Sequence, residues 1–280
     1  MTDNRKRGEE ALAKLDRELT SRDRAEKSRP AKIAAAAAAA ILLVVAGIWF
    51  LSSRDSGEEV TASDETATST EAPEVEPLAM TRATALPDTV ACEYPAEGEA
   101  AREVSAPATE HIPATGTVNV TLNTSQGPIG MELDRTVAPC TVNAVEHLAA
   151  EGYYDDTVCH RLTTSGLHVL QCGDPTGTGA GGPGFEFPNE YPTDEAEDTS
   201  SPVVYPRGSI AMANAGPDTN GSQFFLNYDD SPLQPNYTYF GQISEEGLAT
   251  LDAIAETGVQ GGMGDGAPAE EVRIESADVA

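Results

Sequence analysis

Two neighbouring segments of the chain alternate apolar and polar residues with a period of two. They cover residues 118–122 and 129–133, and turn-forming residues at 125–127 separate them. Such alternation is typical of strands with one buried face, so the two segments predict a β-hairpin. From Pro139 the apolar residues are spaced as on one face of a helix, and proline is favoured in the first helical turn.

Further short apolar segments continue to the C-terminus. A second helix is predicted at Glu245–Glu256, and further strands at Thr157–Leu162, His168–Cys172, Ile210–Ala213, Gln223–Leu226, Thr238–Ile243 and Val272–Ala277. Many short strands with two helices favour an antiparallel barrel or sandwich over alternating βαβ units. The pattern therefore predicts a mainly β domain over residues 115–280.

One long apolar run precedes this domain. Residues 33–51 carry no charged side chain. As a helix they would be about 28 Å long, close to the hydrocarbon thickness of a bilayer. Because basic residues precede the run, the positive-inside rule predicts a single-pass anchor with a cytoplasmic N-terminus and an extracytoplasmic C-terminal domain. A cleaved signal peptide and a buried soluble helix are the alternatives.

Charge changes sign at the same place. Residues 1–32 hold ten of the 17 basic residues and seven of the 46 acidic ones, so this cytoplasmic segment is basic and the remainder is strongly acidic. Residues 52–114 are rich in Glu, Thr, Ala, Ser and Pro, which predicts a disordered tether because little apolar surface offsets the entropy of ordering. Cys92 and the stretch CEYP interrupt this composition, and the alternative is that the tether becomes structured there. The net charge of −29 argues against nucleic acid as a partner.

Four cysteines follow the predicted anchor, and an even number in an oxidising compartment predicts disulfides. Three pairings are possible. Cys159 and Cys172 bracket a predicted hairpin, which favours a bond between them and leaves Cys92 to pair with Cys140.

A glycine-rich stretch, Gly177–Gly182, fits the G-x-G-x-x-G pattern. Dinucleotide sites require a strand before that pattern and a helix after it. Pro175 and Pro183 flank the stretch, and no helical pattern follows it. We therefore interpret it as a loop, and we expect the protein to use neither a cofactor nor a metal.

Two polar stretches, Cys159–Gly182 and Ser209–Asp230, contain the candidate chemistry. Strand alternation places Gln223 and Phe225 of the second stretch on one face. An arginine, two amides and a few apolar side chains suit a shallow cleft for a neutral peptide. They provide no nucleophile and no tuned acid–base pair, which indicates a reaction that needs neither, namely rotation about a bond.

The same two stretches resemble the cyclophilin family of peptidyl-prolyl cis-trans isomerases. The resemblance extends over about residues 116–279 and rests on three motifs: His160-Arg161, Gln171-x-Gly173-Asp174, and the run MANAGPDTNGSQFF at 212–225. It implies a closed eight-stranded antiparallel β-barrel capped by two α-helices, with the site on its outer face.

The resemblance also implies roles for particular residues. The catalytic positions of the family fall on Arg161, Gln223 and Asn214. The substrate-binding positions fall on Gln171, Ala213, Phe225, Val169, His168, Leu233 and Tyr237. Val169, His168 and Tyr237 stand where the family usually has Met, Phe and His. Because a charged imidazole resists desolvation, we expect His168 to make activity modestly dependent on pH between about 5.5 and 7.5.

The function that the resemblance implies is isomerisation of Pro-containing segments of extracytoplasmic polypeptides, in support of the folding of secreted or envelope proteins. A binding module of the same shape, which holds such segments without significant turnover, is the alternative. We expect a monomeric extracytoplasmic domain that the anchor holds at the cell membrane.

Overall fold

The structure, a computed structural model, describes residues 75–280. Its helices are α1 (Pro139–Ala150) and α2 (Glu245–Thr257), and its strands are β1 (Thr89–Val90), β2 (Ile112–Pro113), β3 (Thr117–Thr124), β4 (Gly127–Asp134), β5 (Thr157–Val158), β6 (Arg161–Thr163), β7 (Val169–Cys172), β8 (Val203–Tyr205), β9 (Ser209–Met212), β10 (Phe224–Asn227), β11 (Ser231–Leu233), β12 (Tyr239–Ile243), β13 (Asp265–Gly266) and β14 (Arg273–Val279). Both helices and all but one of the strands predicted from the pattern of apolar residues are present. The exception is the single strand predicted at Thr157–Leu162, which is divided into β5 and β6. The short strands β1, β2, β8, β11 and β13 were not predicted.

Ten of the strands form one antiparallel sheet in the order β13-β6-β7-β10-β9-β12-β4-β3-β14-β5. The order is open at both ends and contains ten strands, so the sheet is not the closed eight-stranded barrel that the resemblance implied. The sheet nevertheless curls strongly. β5 lies at one edge and β6 lies next to the other edge, yet only Cys159 and His160 separate them along the chain.

The two helices begin in different ways. α2 has a local cap, because the Ser244 side chain accepts a hydrogen bond from the backbone N–H of Gly247 at 3.1 Å. Ala138 cannot cap α1 in this way, and a distant carboxylate replaces it. Glu190 accepts hydrogen bonds from the backbone N–H groups of Cys140 and Thr141 at 3.0 and 2.7 Å. Burial raises the pKa of Glu190, while these hydrogen bonds act in the opposite direction.

The segment 75–114 is folded, which corrects the prediction that the tether extends to residue 114. Cys92, Tyr94 and Ile112 are buried in the same core as the sheet. The Tyr94 ring meets Phe185 edge-on with centroids 5.7 Å apart, and its hydroxyl donates to the carbonyl of Cys140 at 2.7 Å. A few apolar anchors therefore order a segment whose overall composition is polar. We call residues 75–114 the extension.

Both favoured disulfide pairings are confirmed. Cys92 is bonded to Cys140, which ties the extension to α1. Cys159 is bonded to Cys172, which joins the chain between β5 and β6 to the end of β7. Neither α1 nor α2, the two α-helices of residues 75–280, combines the length and the apolar character that a membrane span requires. The predicted anchor at 33–51 lies outside the described residues.

Candidate active site

A row of side chains crosses four neighbouring strands on one face of the sheet. Arg161 on β6 is opposite Gln171 on β7, Gln171 is opposite Phe225 on β10, and Phe225 is opposite Ala211 on β9. Residues that pair directly across strands point to the same face, and their chain neighbours point to the other. Leu162, which follows Arg161, is accordingly fully buried in the core. The register of the sheet thus brings together side chains that are far apart in sequence.

The row borders a cavity of about 190 Å³, which we call the smaller cavity. The cavity is lined by every substrate-binding residue expected from the sequence except His168. Leu167 lines it as well and was not expected. The lining residues are Arg161, Leu167, Val169, Gln171, Ala213, Asn214, Phe225, Leu233 and Tyr237. Phe225 is 6% exposed, and its ring meets that of Tyr237 edge-on with centroids 5.6 Å apart. The cavity therefore has an apolar floor and a polar rim.

The polar rim is a chain of hydrogen bonds that starts at an ion pair. The Arg161 guanidinium donates from Nε and Nη2 to the two carboxylate oxygens of Asp265 at 2.8 and 2.7 Å. Its Nη1 donates to Gln171 Oε1 at 3.3 Å, and Gln171 Nε2 donates to Gln223 Oε1 at 3.0 Å. The hydrogen bonds between them raise the pKa of Arg161 and lower the pKa of Asp265. The Arg161 side chain is therefore charged and held in one orientation.

Gln223 lines the larger of two cavities rather than the smaller one, and its side chain holds a loop. Its Nε2 donates to the carbonyls of Gly179 and Gly181 at 3.1 and 3.0 Å. The Asp174 carboxylate holds the same loop from inside, accepting from the backbone N–H groups of Gly179 and Gly181 at 2.7 and 3.1 Å. A Cβ atom at Gly181 would lie 2.0 Å from Asp174 Oδ1, so a larger residue there would displace the carboxylate that holds the loop. The glycine-rich stretch is a loop, in agreement with its interpretation from the sequence.

Asn214 lines the smaller cavity, and its backbone and side chain differ in whether they have hydrogen-bond partners. Its side-chain amide is engaged, since Nδ2 donates to the carbonyl of Asn236 at 2.9 Å. Among the hydrogen bonds of residues 75–280, none involves the backbone N–H or C=O of Asn214. Ala213 precedes it, and the Ala213 N–H donates to the carbonyl of Gln223, the residue just before β10, at 2.9 Å. An edge of open backbone therefore borders the smaller cavity.

A larger cavity of about 660 Å³ adjoins the smaller one and shares Gln171, Ala213 and Asn214 with it. The extension forms part of its wall through Glu97 and Glu99.

The chain just after the glycine-rich loop meets the extension at this wall, where the backbone N–H of Glu97 donates to the carbonyl of Gly184 at 3.0 Å. Glu186 also lines the larger cavity. Desolvation and the neighbouring Glu97 both raise the pKa of Glu186. Three carboxylates therefore border the larger cavity.

The structure places His168 outside the smaller cavity, which corrects its expected role. The His168 ring meets the Tyr228 ring edge-on with centroids 5.7 Å apart. Leu167 lines the cavity instead. Leu167, Val169 and Gln171 are two residues apart along the strand, so the period of two would have predicted Leu167 as a cavity residue. The alignment of motifs placed His168 there instead.

Comparisons with known proteins identify the family. The model of the family described as cyclophilin type peptidyl-prolyl cis-trans isomerase/CLD matches residues 118–279. A Mycobacterium tuberculosis protein named probable peptidyl-prolyl cis-trans isomerase B is 54% identical over 192 residues, which cover 66% of this chain and 62% of that protein.

Two other relatives are similar. A Mycobacterium leprae protein of the same name is 52% identical over 194 residues, which cover 67% of this chain and 66% of that protein. A Gibberella zeae protein named peptidyl-prolyl cis-trans isomerase-like 1 is 38% identical over 168 residues, which cover 58% of this chain and 95% of that protein. The chain thus spans less than two thirds of the length of the mycobacterial relatives.

Proposed function

The chain belongs to the cyclophilin family of peptidyl-prolyl cis-trans isomerases, and on that premise we propose that it catalyses rotation about X-Pro peptide bonds. The observation that carries the proposal is the convergence of Arg161, a buried Phe225 and the open backbone of Asn214 on the smaller cavity. This combination can hold a proline ring, align the chain beside it and place a cation over the bond that turns.

The reaction has a barrier of ~18–20 kcal/mol, because rotation breaks the conjugation of the amide. At the twisted transition state the prolyl nitrogen becomes pyramidal and regains a lone pair. A donor aimed at that nitrogen makes a hydrogen bond that the planar ground state cannot make. Binding of this kind lowers the barrier selectively, because it is stronger in the transition state than in the substrate.

Arg161 has the donors for this role. A guanidinium carries five N–H groups, and the bonds to Asp265 and Gln171 occupy three of them. The two that remain lie on Nη1 and Nη2. We assign one to the prolyl nitrogen and the other to the prolyl carbonyl oxygen, which keeps the cation beside the bond throughout the rotation.

The other residues hold the substrate. Phe225, Leu233 and Val169 form the apolar surface against which the proline ring packs. The N–H and C=O of Asn214 pair with the chain on one side of the proline. Since one side is anchored, the torsion falls on the X-Pro bond. Gln171 and Gln223 act indirectly in this scheme, because their side chains connect Arg161 to the glycine-rich loop.

The proposal extends to the setting of the protein. Disulfides persist in oxidising compartments, and the described residues contain two. This supports a catalytic domain outside the cytoplasm, held at the membrane by residues 33–51 and acting on Pro-containing segments of secreted or envelope proteins. The composition of the predicted anchor supports this topology.

A protease-coupled isomerisation assay on a fragment comprising residues 75–280 tests the catalytic part. Tetrapeptides with a central X-Pro bond should convert faster in proportion to enzyme concentration, and Leu233→Lys should abolish most of that acceleration. Binding of the peptide without acceleration would instead favour the binding module. External protease treatment of intact cells tests the topology, because only an extracytoplasmic domain would be cleaved.

A further inference from the structure

We propose that Asp265 is a positioning residue for Arg161, an inference that rests on the proposed isomerase function. Asp265 lies in none of the motifs described above and is 104 residues from Arg161 along the chain. It acts through the arginine rather than through the substrate. Its role is to select the single guanidinium orientation in which two N–H donors face the smaller cavity.

The sheet register explains why Asp265 reaches Arg161. On the edge strand β13, Asp265 pairs directly with Thr163 of β6. Thr163 and Arg161 are two residues apart, so they share a face of β6, and Asp265 shares that face with them. The diagonal distance between strands is within the reach of a long side chain. Asp265 is thus the β13 residue that the register brings next to the arginine.

The ion pair constrains the direction of the guanidinium. Asp265 accepts from Nε and Nη2, which lie along one side of the planar group. Two parallel bonds fix both the position and the plane of a guanidinium, whereas a single bond leaves it free to swing. With Gln171 accepting from Nη1, the remaining donors are turned away from β13. A fixed donor pair is what a transition state requires, since misplacement by about 1 Å can cost a factor of about 10² in rate.

The exposure of the pair argues against a mainly stabilising role. The side chains of Arg161 and Asp265 are 39% and 56% exposed, and ion pairs in such positions contribute little to folding. Elsewhere in the domain Arg207 and Asp252 form an equally short two-bond pair, at 2.8 and 2.8 Å and with 39% and 48% exposure. Neither residue lines a cavity described above. Asp252 therefore serves as a control, because it forms a two-bond pair of similar length and exposure with an arginine that lines neither cavity.

The test compares Asp265→Ala, Asp265→Asn and Asp252→Ala with the wild-type fragment of residues 75–280. We expect kcat to fall about ten- to a hundredfold in Asp265→Ala with KM nearly unchanged. Asp265→Asn should retain an intermediate kcat, because its amide oxygen still accepts one bond. Asp252→Ala should keep the wild-type kcat. All variants should show the circular dichroism spectrum of the wild-type protein.

A second readout does not depend on turnover. The Nε–H of Arg161 should give a resolved, slowly exchanging NMR signal, assigned by its absence in Arg161→Lys. We expect Asp265→Ala to abolish this signal and Asp252→Ala to leave it intact. The inference would be overturned if Asp265→Ala had an unchanged or higher kcat, if only its KM changed, or if it kept the Nε–H signal. An equal fall of kcat in Asp252→Ala would also overturn it. An inactive wild-type fragment would refute the proposed function instead, and the NMR comparison would still decide whether Asp265 orients Arg161.

Discussion

The disulfide between the extension and α1 gives the sharpest prediction about stability. The Cys92–Cys140 bond closes a loop with a sequence separation of 48 residues. In the chain-entropy treatment such a cross-link lowers the conformational entropy of the unfolded state, which stabilises the folded state by about 4 kcal/mol at 25 °C. Replacing both cysteines by alanine should therefore lower the free energy of unfolding by about 4 kcal/mol, while the packing of Tyr94 and Ile112 keeps the extension in place.

Equilibrium unfolding of residues 75–280 in guanidinium chloride measures this loss. The dependence of the free energy on denaturant should steepen, because an unfolded chain without the cross-link exposes more surface. Thiol titration under denaturing conditions should find no free cysteine, which shows that the Cys159–Cys172 bond is intact in both proteins. Turnover of a short peptide should be unchanged, since strands hold Arg161 and Phe225. A loss below about 1 kcal/mol with an unchanged slope would refute the reasoning and show that the contacts of the extension suffice.

Three further predictions concern the two cavities. Arg161→Ala should lower kcat/KM by about 10²–10³ in the protease-coupled assay and change the free energy of unfolding by less than about 1 kcal/mol; near-normal turnover would contradict the proposed mechanism. His168→Phe should leave the pH profile between about 5.5 and 7.5 unchanged, because the ring contacts Tyr228 and not the smaller cavity; a flattened profile would return His168 to the substrate site. Glu97→Gln with Glu99→Gln should reduce any preference for Lys or Arg over Glu before the proline, measured as a ratio of kcat/KM values at low salt, because these carboxylates line the larger cavity; an unaltered ratio would mean that the flanking residues bind elsewhere.

Local patterns determined most of the secondary structure. The alternation at 118–133 encodes the β3–β4 hairpin, because residues two apart in a strand must share a face. Ser244 marks the start of α2 through a bond to Gly247, three residues away. Motif spacing also identified Arg161, Gln171 and Phe225, and the structure brings all three to one cavity. The roles assigned to them, the anchor and the extracytoplasmic location stay predictions.

Composition misjudged the extension. The average composition of residues 52–114 is polar, which predicts disorder for that whole segment, including the extension. Order from residue 75 onward depends on a few side chains, among them Cys92 and Tyr94, that enter a core built by the rest of the chain. An average over a segment cannot reveal such anchors, because their burial depends on partners such as Phe185 that lie about ninety residues away.

The tertiary structure alone decided which groups complete the site. Nothing near Asp265 in the sequence indicates that it pairs with Arg161, since the contact arises from the antiparallel register of β13 and β6. That Leu167 rather than His168 lines the smaller cavity has a related cause, because the turn before β7 decides where strand alternation begins. Periodicity encodes contacts between near neighbours in the chain. Contacts between distant strands depend on how the sheet curls and pairs, and only the folded chain specifies that.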